Sequence, residues 1–388
     1  MGDFFYLKTP LSIKIYSSIS ELPENWSDFA IENIFLSKEY LEVLEKSAPS
    51  NMFCHFIGLF DQDILVGISL SQFLDLNKLE SFGERDQCVK NAVRNTILKN
   101  FCSHILIIGN NMLTGENAFS FSDSIEKVEM LLALKAASEK LQTIFKKKGL
   151  KVHITTYKDF QEKELKSFHQ AGFDKYFQFS AQPNMLFDIP DHWKSEQDYI
   201  DALSKKYRDQ YKRARKKADG IEKKKMELAD IIKYEETIYE LYFHVAKNAH
   251  FNTFFLAKNH FRVFKEMLKD KFLFYGYFLN DKLIGFNTII KNGKVMDTYF
   301  LGYDESIQRE KMLYLNMLYD MVAYSINKGF KEIIFARTAL EIKSSIGAKP
   351  LKMYSFAKHS NPVADLAFEK VYCYLEPEVE WTKRNPFK

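Results

Sequence analysis

Apolar and polar residues alternate most clearly in the stretch that begins at Phe272. Two apolar runs, Phe272–Leu279 and Leu283–Ile290, flank the polar turn Asn280-Asp281-Lys282. Alternation on both sides of a turn with Asn and Asp at its tip is typical of a β-hairpin. A third apolar run, Val295–Leu301, follows the turn Asn292-Gly293. The pattern therefore predicts a meander of three strands.

A long apolar segment follows the meander. It runs from about residue 311 to 327 and ends at Lys328-Gly329, and glycine is typical of a helix end. The next run, Lys331–Phe335, predicts a parallel strand. The segment Arg337–Ala348 after it is too polar for a strand or a core helix. Because ligands gather beyond the carboxyl ends of strands in open α/β sheets, this segment is the first candidate site.

The first half of the chain repeats this plan. Two apolar runs, Phe53–Phe60 and Ile64–Phe73, flank the turn Asp61-Gln62-Asp63 and predict a second hairpin. Residues of the two hairpins match at one constant offset along the chain. The matches are Gly58 with Gly276, Phe60 with Phe278, Asp63 with Asp281, Leu65-Val66 with Leu283-Ile284, and Gly67 with Gly285.

Later features repeat in the same order. They are Lys148-Gly149 with Lys328-Gly329, each between a helix and a strand, and Ala171-Gly172-Phe173 leading into Tyr176–Phe179 with Ile346-Gly347-Ala348 leading into Met353–Phe356. Matched features in one order predict an internal duplication. We therefore expect an N-terminal domain over residues 1–182 and a C-terminal domain over residues 183–388. Two unrelated α/β domains with common turn chemistry are the alternative.

A strongly basic helix is predicted between the two copies. It begins after Ser195, covers residues 196–219 and ends at Gly220. Its apolar residues recur at steps of three and four, which places them on one helix face. The remaining faces carry a set of cations that we call the basic ridge. These cations are Lys205, Lys206, Arg208, Lys212, Arg213, Arg215 and Lys216.

Two interpretations of the basic ridge stay open. It is either a solvated helix face or a binding surface for a phosphate-bearing substrate, an RNA such as tRNA, or an anionic membrane surface. The net charge of +4 is too small to indicate nucleic acid by itself. Any such effect must therefore come from this local cluster.

Composition sets broad limits on the rest. A chain of 388 residues, 46% hydrophobic and 27% charged, is long and apolar enough for two globular domains, each with its own core. The four cysteines are far apart and include no C-x-x-C pair, so we expect neither a disulfide framework nor a metal site. No apolar run reaches the length of a membrane span, and the N-terminus lacks a basic region. The expected location is the cytoplasm.

Two segments resemble a known family. They are Leu203-Ser204-Lys205-Lys206-Tyr207-Arg208 and Arg337-Thr338-Ala339, the latter followed by Glu341, Lys343, Gly347 and Ala348. With the repeated plan, they resemble tandem GNAT-fold (Gcn5-related N-acetyltransferase) proteins of the FemAB-like, peptidoglycan biosynthesis and recognition group. The resemblance implies two tandem GNAT-like domains of α/β class with mixed sheets. It also implies acyl or aminoacyl transfer to an amine, from a CoA thioester or a charged tRNA.

The donor site departs from the usual GNAT pattern. GNAT enzymes have a Q/R-x-x-G-x-G/A loop before the long helix, where this chain has Ser306–Lys311 and no glycine between Gly302 and Gly329. Gln308 and Arg309 are the candidate donor-binding residues there, since a helix N-terminus favours phosphate. Side chains in place of glycine would crowd the pyrophosphate of acyl-CoA. A donor other than CoA, or no donor, stays open.

The remaining candidates are polar residues near the ends of the last strands. Arg337 and Thr338 are predicted to bind a donor phosphate or a carboxylate, and Lys343 resembles a family lysine that is implied to lie by the donor. Glu341 is a candidate base, or a partner of Arg337 or Lys343 in an ion-pair cluster.

The third strand of the meander offers a second pair of catalytic candidates. Asp297, Tyr299 and Tyr303 share one strand face by alternation. If that face lines a cleft, Asp297 is a candidate base and Tyr303 a candidate acid. Surface or core placement of these side chains is the alternative.

The sequence thus favours an N-acyltransferase whose working site lies in the second copy and whose acceptor is a small-molecule or amine substrate. A tRNA-dependent aminoacyltransferase, guided by the basic ridge, is the first alternative. A binding module that kept the fold and lost the donor chemistry is the second, and the missing glycines favour it.

Overall fold

The computed structural model describes residues 10–79, 101–248, 252–375 and 380–388. These residues form two mixed β-sheets, each with helices packed against it. The predicted α/β class is therefore confirmed.

The first half begins with a strand and reaches its first long helix at Lys38. Ser37 caps that helix, because its Oγ accepts a hydrogen bond from the backbone N of Tyr40 at 3.3 Å. The strands are β1 (Ser12–Tyr16), β2 (Met52–Asp61), β3 (Ile64–Asp75), β4 (His104–Ile108), β5 (Phe119–Phe121), β6 (Ile154–Phe160) and β7 (Phe177–Phe179), and the helices are α1 (Lys38–Ser47), α2 (Lys127–Lys147) and α3 (Leu165–Gln170).

The second half contains the basic helix and the predicted meander. Its strands are β8 (Asn184–Asp188), β9 (Ile221–Met226), β10 (Phe272–Leu279), β11 (Lys282–Asn292), β12 (Val295–Tyr303), β13 (Glu332–Ala336), β14 (Lys349–Leu351) and β15 (Tyr354–His359). Its helices are α4 (Glu196–Ala202), α5 (Lys205–Lys217), α6 (Leu228–Lys233), α7 (Glu235–Ala246), α8 (His260–Leu268), α9 (Glu305–Lys311), α10 (Leu313–Asn327), α11 (Leu340–Ser345) and α12 (Pro362–Leu375).

The two sheets have the same topology. The first runs β1-β2-β3-β4-β6-β15-β7, with β5 also paired to β3, and the second runs β9-β10-β11-β12-β13-β8-β14. Along both orders the third and fourth strands are antiparallel, and only the fourth and fifth, β4 with β6 and β12 with β13, are parallel. The predicted repeat is confirmed at the level of topology.

Counted by the repeat, β8 is the last strand of the first copy and β15 the last strand of the second, and the two copies exchange these strands. Strand β15, from the end of the chain, lies between β6 and β7 in the first sheet, and β8 lies between β13 and β14 in the second. The counterpart of β7 is therefore β14, and the counterpart of β15 is β8. The predicted match of Tyr176–Phe179 with Met353–Phe356 is wrong for this reason, since each segment lies in the first sheet. The exchange joins the halves through both sheets.

The two hairpins share a β-bulge at the same place. It lies between Leu59 and Phe60 in the first hairpin and between Tyr277 and Phe278 in the second. In both, the phenylalanine ring lies over the glycine two residues earlier. A Cβ atom would lie 2.9 Å from that ring at either glycine, and at Gly276 it would also lie 2.5 Å from the sulfur of a neighbouring methionine. The matched glycines thus have a steric cause.

Gly276→Ala is expected to lower the free energy of unfolding by about 2 kcal/mol, because the added methyl collides with two packed side chains. Urea denaturation measures the change. Gly293→Ala is the control: no atom lies within 4 Å of its added Cβ, and only its φ of +59° opposes alanine. The control is expected to lose about 1 kcal/mol. Equal losses would contradict the steric explanation.

One hydrophobic core runs through both halves. It joins α1 and the inner face of the first sheet to α7, α8 and the inner face of the second. A buried polar chain crosses it, since His260 contacts the Ser47 Oγ at 3.0 Å through Nδ1 and the Tyr299 hydroxyl at 3.0 Å through Nε2. Burial lowers the pKa of His260 to about 4, so the ring is neutral at pH 7. Separate cores lie on the opposite face of each sheet, against α2 and against α10.

The predicted single helix over residues 196–219 is wrong in one respect. It is broken into α4 and α5 at Leu203, whose backbone is extended with φ −64° and ψ 139°. Leu203 pairs there with Phe387, and the backbone N of Ser204 donates to the Pro386 carbonyl at 2.8 Å. The end of the chain thus supplies hydrogen bonds that a continuous helix would have made itself.

Candidate functional site

The parallel pair of the second sheet opens partway along its length. Strand β12 has nine residues, and only Val295–Asp297 pair with β13. Beyond Asp297 the described part of the chain gives β12 no strand partner on that side. In the first sheet, four of the five residues of β4 pair with β6. We call the opening in the second sheet the β12–β13 gap.

Asp297 stands at the closed end of this gap. Its pairing partner Ile334 is the last residue of β13 that pairs with β12, and Asp297 itself is 3% exposed. Burial raises the pKa of the Asp297 carboxyl to about 7; the Asn292 side chain opposes this shift and the nearby Glu332 adds to it. Its Oδ2 has no hydrogen-bond partner among the described residues. Asp297 is therefore a buried carboxyl group with a raised pKa and one oxygen that lacks a partner within the described residues.

The loop that leaves β13 is strained. Ala336, Thr338 and Ala339 have φ angles of +56°, +68° and +46°. Left-handed backbone costs a residue with a Cβ roughly 1–2 kcal/mol, and such strain persists only where the surroundings impose it. Strained loops cluster at ligand sites, so this loop remains a strong candidate.

Lys343 is what holds the loop. Its Nζ donates to the carbonyls of Phe335 and Arg337, each at 2.6 Å, and to that of Ala336 at 3.4 Å. The side chain comes from α11 and is 5% exposed. Burial lowers the pKa of Lys343 to about 7, while the three carbonyls favour the ammonium form. Lys343 therefore holds the loop backbone in place from α11 and acts as a positioning residue.

Arg337 joins the two halves of the chain. Its guanidinium forms an ion pair with Asp159, near the end of β6, and its Nε donates to the Gln182 carbonyl at 2.9 Å. Asp159 is fully buried and also pairs with Lys158, whose ammonium donates to the Leu113 carbonyl at 2.7 Å. The anion that Arg337 was predicted to bind is thus supplied from within the protein. Its role toward a donor or substrate stays a prediction.

Arg337→Met is expected to lower the free energy of unfolding by about 3 kcal/mol, because among the described residues it leaves the buried Asp159 with Lys158 as its one ion-pair partner. Adding Asp159→Asn should recover about 2 kcal/mol of this loss in a double-mutant cycle. Urea denaturation of the four proteins measures the coupling. Lys331→Met is the control, since its ion pair with Asp191 is exposed and is expected to contribute little. Additive losses would contradict the ion pair as a link between the halves.

Thr338 and Glu341 occupy different surroundings. The backbone N of Thr338 donates to Gln182 Oε1 at 3.2 Å, so Thr338 contacts the same segment as Arg337. Glu341 lies at the surface, where its carboxylate pairs with Arg384. The alternative in which Glu341 belongs to an ion pair thus has structural support, though its partner is neither Arg337 nor Lys343. The role of Glu341 as base stays a prediction.

The predicted common face of Asp297 and Tyr303 is wrong. Leu301 pairs with Asn287 but Thr298 pairs with Ile289, so β12 has one extra residue between them. This bulge reverses the side-chain alternation. Tyr303 therefore packs on the α10 side, with its ring centroid 6.1 Å from that of Tyr314. An acid at Tyr303 and a base at Asp297 lie on opposite faces of the sheet.

Gln308 and Arg309 lie within a helix and not in a loop. Helix α9 contains both, and Met312, with φ +49°, joins it directly to α10. The first residue of α10, Leu313, is fully buried. The residues present therefore do not form a glycine-lined cradle for the pyrophosphate of acyl-CoA at this helix N-terminus.

The basic ridge divides into anchored and free cations. Arg215 is anchored, because its guanidinium bonds Asp320 Oδ1 at 2.7 Å and Glu196 Oε1 at 2.8 Å. Arg208 donates to the Leu203 carbonyl at 2.9 Å. The others are exposed and form no ion pair within the described residues. These free cations are Lys205, Lys206, Lys212, Arg213 and Lys216.

Sequence reasoning missed Asp159, Lys158 and the buried state of Asp297. A weak signal for Asp159 exists, since Lys158 and Asp159 lie near the end of the strand after Lys148-Gly149, and Arg337 directly follows the strand after Lys328-Gly329.

The described residues lack two kinds of feature, a metal-binding group and a membrane-spanning helix. They hold no group of three or more His, Cys, Asp or Glu side chains that could bind a metal ion. They also hold no helix with both the length and the apolar character that a membrane crossing requires.

Comparison with known proteins finds likeness in structure. No family model and no curated protein matches the chain. FemX is 12% identical, over 84% of this chain and 92% of that chain, with a TM-score of 0.51. A tandem GNAT protein from the clavulanic acid biosynthesis pathway is 10% identical, over 90% and 99%, with a TM-score of 0.52. The C-terminal domain of an Agrobacterium fabrum protein described as a lysylphosphatidylglycerol synthetase is 10% identical, over 95% and 100%, with a TM-score of 0.51.

At these identities the likeness concerns the fold. The chain has the tandem GNAT fold, in the arrangement that FemX also has. The resemblance drawn from the segments around Tyr207 and Arg337 is thus confirmed for the fold.

Proposed function

We propose that this chain transfers an acyl or aminoacyl group to an amine, and that the reaction takes place at the β12–β13 gap. The observation that carries the proposal is Asp297, a buried carboxyl with a pKa of about 7 and one free oxygen where the two strands part. We place the working site in the second half, because the described residues of the first sheet show no comparable opening next to β4.

Asp297 would act as the general base. An amine is an ammonium ion at neutral pH and attacks a carbonyl only after losing a proton. A base with a pKa near the working pH accepts that proton most effectively. The nitrogen then bonds to the acyl carbon, the bond from that carbon to the donor oxygen or sulfur breaks, and the leaving group takes up a proton.

The backbone of β12 beyond Asp297 would bind the acyl group. In the described chain this edge has no strand partner, so its N–H groups are free to donate to the acyl carbonyl. Fixed N–H donors stabilise the negative charge that develops on that oxygen. Lys343 would contribute by fixing the loop beside the gap.

The proposed reaction has two candidate donors, a charged tRNA and acyl-CoA. A charged tRNA is favoured by the free cations of the basic ridge, and by the absence of a pyrophosphate cradle at α10. Acyl-CoA is the other donor class. The direct test incubates the full chain and a panel of primary amines with acetyl-CoA or with aminoacyl-tRNA, and measures the release of free thiol or of uncharged tRNA. Release from neither donor would contradict the proposal and favour a non-catalytic binding module.

The triple variant Lys212→Ala/Arg213→Ala/Lys216→Ala is expected to weaken tRNA binding and to reduce the slope of log K against log salt by about 2, because three phosphate contacts are lost. Filter binding at several salt concentrations measures the slope. The control triple, Lys146→Ala/Lys147→Ala/Lys151→Ala, removes the same charge from exposed positions of the first half. An equal effect of both triples would contradict a specific role of the basic ridge.

A further inference from the structure

A cavity of about 320 Å³ lies at the edge of the first sheet. It is a half-open cleft bounded by the C-terminal ends of α1 and α2, by the residue after β1 and by the first residues of β2. Strand β1 pairs only with Phe56–Phe60, so among the described residues Met52–His55 have no paired strand on that edge. We call this cavity the edge notch. It is separate from the β12–β13 gap, which lies in the other sheet.

In the second half a lysine of the chain itself occupies the same place. Lys265, from α8, is 5% exposed, and its Nζ lies 2.8 Å from Glu227 Oε2. The same ammonium donates to the Phe272 and Lys269 carbonyls, each at 3.4 Å. A primary ammonium on a flexible apolar stem therefore fits this position of the fold and fills it.

The repeat identifies the matching residues of the edge notch. Leu44 is the fourth residue from the end of α1, as Lys265 is in α8. Ser17 follows the last residue of β1, as Glu227 follows the last residue of β9. Both members of the ion pair are thus absent from the first half, and both replacements line the notch. The first half therefore has an open notch where the second half has the Lys265–Glu227 ion pair.

The first half retains a backbone carbonyl that can accept a hydrogen bond from an ammonium group. Cys54 stands four residues before Gly58 and pairs with Gln72, in the register in which Phe272, four residues before Gly276, pairs with Ile290. Its carbonyl is therefore at the place where the Phe272 carbonyl receives the lysine ammonium.

A carboxylate also lines the edge notch. Glu45 Oε1 accepts from Ser18 Oγ at 2.7 Å and Glu45 Oε2 from the Ile19 N at 3.1 Å, so the carboxylate is held in place. It carries the negative charge that Glu227 carries in the second half.

A buried histidine lines the notch as well. His55 is 5% exposed, its Nδ1 has no hydrogen-bond partner in the described chain, and burial lowers its pKa to about 4. The matching residue of the second half is Leu273, which needs no partner. The rest of the lining includes the exposed Lys148, whose positive charge also lowers the pKa of His55. It further includes Leu44, Met52, Phe56 and Phe145, which suit an alkyl stem.

We propose that the edge notch binds a small molecule with a primary ammonium group on an apolar stem. The ammonium takes the place that the Lys265 ammonium takes in the second half, between the Cys54 carbonyl and the Glu45 carboxylate, and the stem lies against the apolar lining. The proposal rests on the internal repeat and stands whether or not the chain is a transferase.

The test uses the full chain and three probes of equal length, n-pentylammonium, 1-pentanol and pentanoate, in calorimetric titrations. Pentylammonium is expected to bind, and the alcohol and the acid about fivefold or more weakly, since each lacks the charge that pairs with a carboxylate. Glu45→Gln should weaken pentylammonium binding about fivefold. The control Glu42→Gln removes the same charge from α1 outside the notch and should leave binding unchanged.

A second variant keeps the test independent of Glu45. The double variant Ser17→Glu/Leu44→Lys introduces into the notch the lysine–glutamate ion pair that the second half has there. It is expected to abolish pentylammonium binding. His55→Leu checks the lining without changing charge at pH 7, and circular dichroism checks that each variant is folded. Equal binding of all three probes, no binding of pentylammonium, or equal effects of Glu45→Gln and Glu42→Gln would each overturn the proposal.

Discussion

Asp297→Asn is expected to lower acyl transfer about a thousandfold, the size of effect typical of losing a general base. The same substitution is expected to stabilise the protein at pH 8, because it removes a buried carboxylate with an unpartnered oxygen. Loss of activity with a gain in stability is the signature of a group that is kept for its chemistry. Transfer assays and urea denaturation of the same protein samples measure both effects.

The pH dependence of stability follows from the raised pKa. The pKa of Asp297 is about 7 in the folded chain, against an ordinary value of 3.8 for an aspartate side chain. The folded state therefore holds a proton that the unfolded state releases, so this contribution is complete below pH 3.8 and is lost as the pH rises to about 7. The loss is on the order of 4 kcal/mol at most. Asp297→Asn should flatten the stability curve between these limits.

Glu332→Gln is the matched control for Asp297→Asn. Glu332 is a half-buried carboxyl near Asp297, and burial raises its pKa as well. Its substitution changes local charge equally but should leave transfer within a factor of about three, since it has no assigned contact with substrate. Full transfer by Asp297→Asn would reject it as the base. An equal loss in both variants would show that local charge, and not proton transfer, is what matters.

Lys343→Met is expected to lower the free energy of unfolding by about 4 kcal/mol, because it leaves the buried carbonyl of Phe335 and the part-buried carbonyls of Ala336 and Arg337 without this donor. The loop cannot relax cheaply, since Ala336, Thr338 and Ala339 are already left-handed. Urea denaturation measures the loss. Lys349→Met is the control: Lys349 is exposed and lies 3.4 Å from the exposed Asp188. The control should change stability by less than about 0.5 kcal/mol.

Urea denaturation and the transfer assay together decide what Lys343 does. A positioning residue should lose stability and transfer together, and added urea should weaken transfer further in the variant than in the native chain. A variant that is as stable as the native protein but inactive would instead place the Lys343 ammonium in the chemistry. A variant that is stable and active would contradict both roles and remove the loop from the site.

The sequence predicted most elements of the second half well. The meander Phe272–Leu301 appears as β10, β11 and β12, and the glycines at 329 and 347 have φ angles of +72° and +111°. These features are local, because alternation and turn chemistry act over a few residues. The error at Tyr303 shows the limit of this reasoning. One inserted residue between Thr298 and Leu301 reverses the strand faces, and no local pattern marks it.

The candidate site depended more on distant contacts. Arg337 was singled out by its position after a strand, yet its carboxylate partner Asp159 lies 178 residues away in sequence. The ionisation of Asp297 depends on its burial, which the strand pattern left undecided between core and cleft.

The sequence by itself determined that the chain contains two copies of one α/β plan, because hairpins, helix ends and bulge glycines are encoded by residues close together. Only the tertiary structure decided that the copies exchange β8 and β15, that Asp159 and Arg337 join the two halves, and that one copy has a lysine where the other has an open notch. These outcomes depend on which surfaces the folded chain brings together, and contacts between remote segments leave no periodic trace in the sequence.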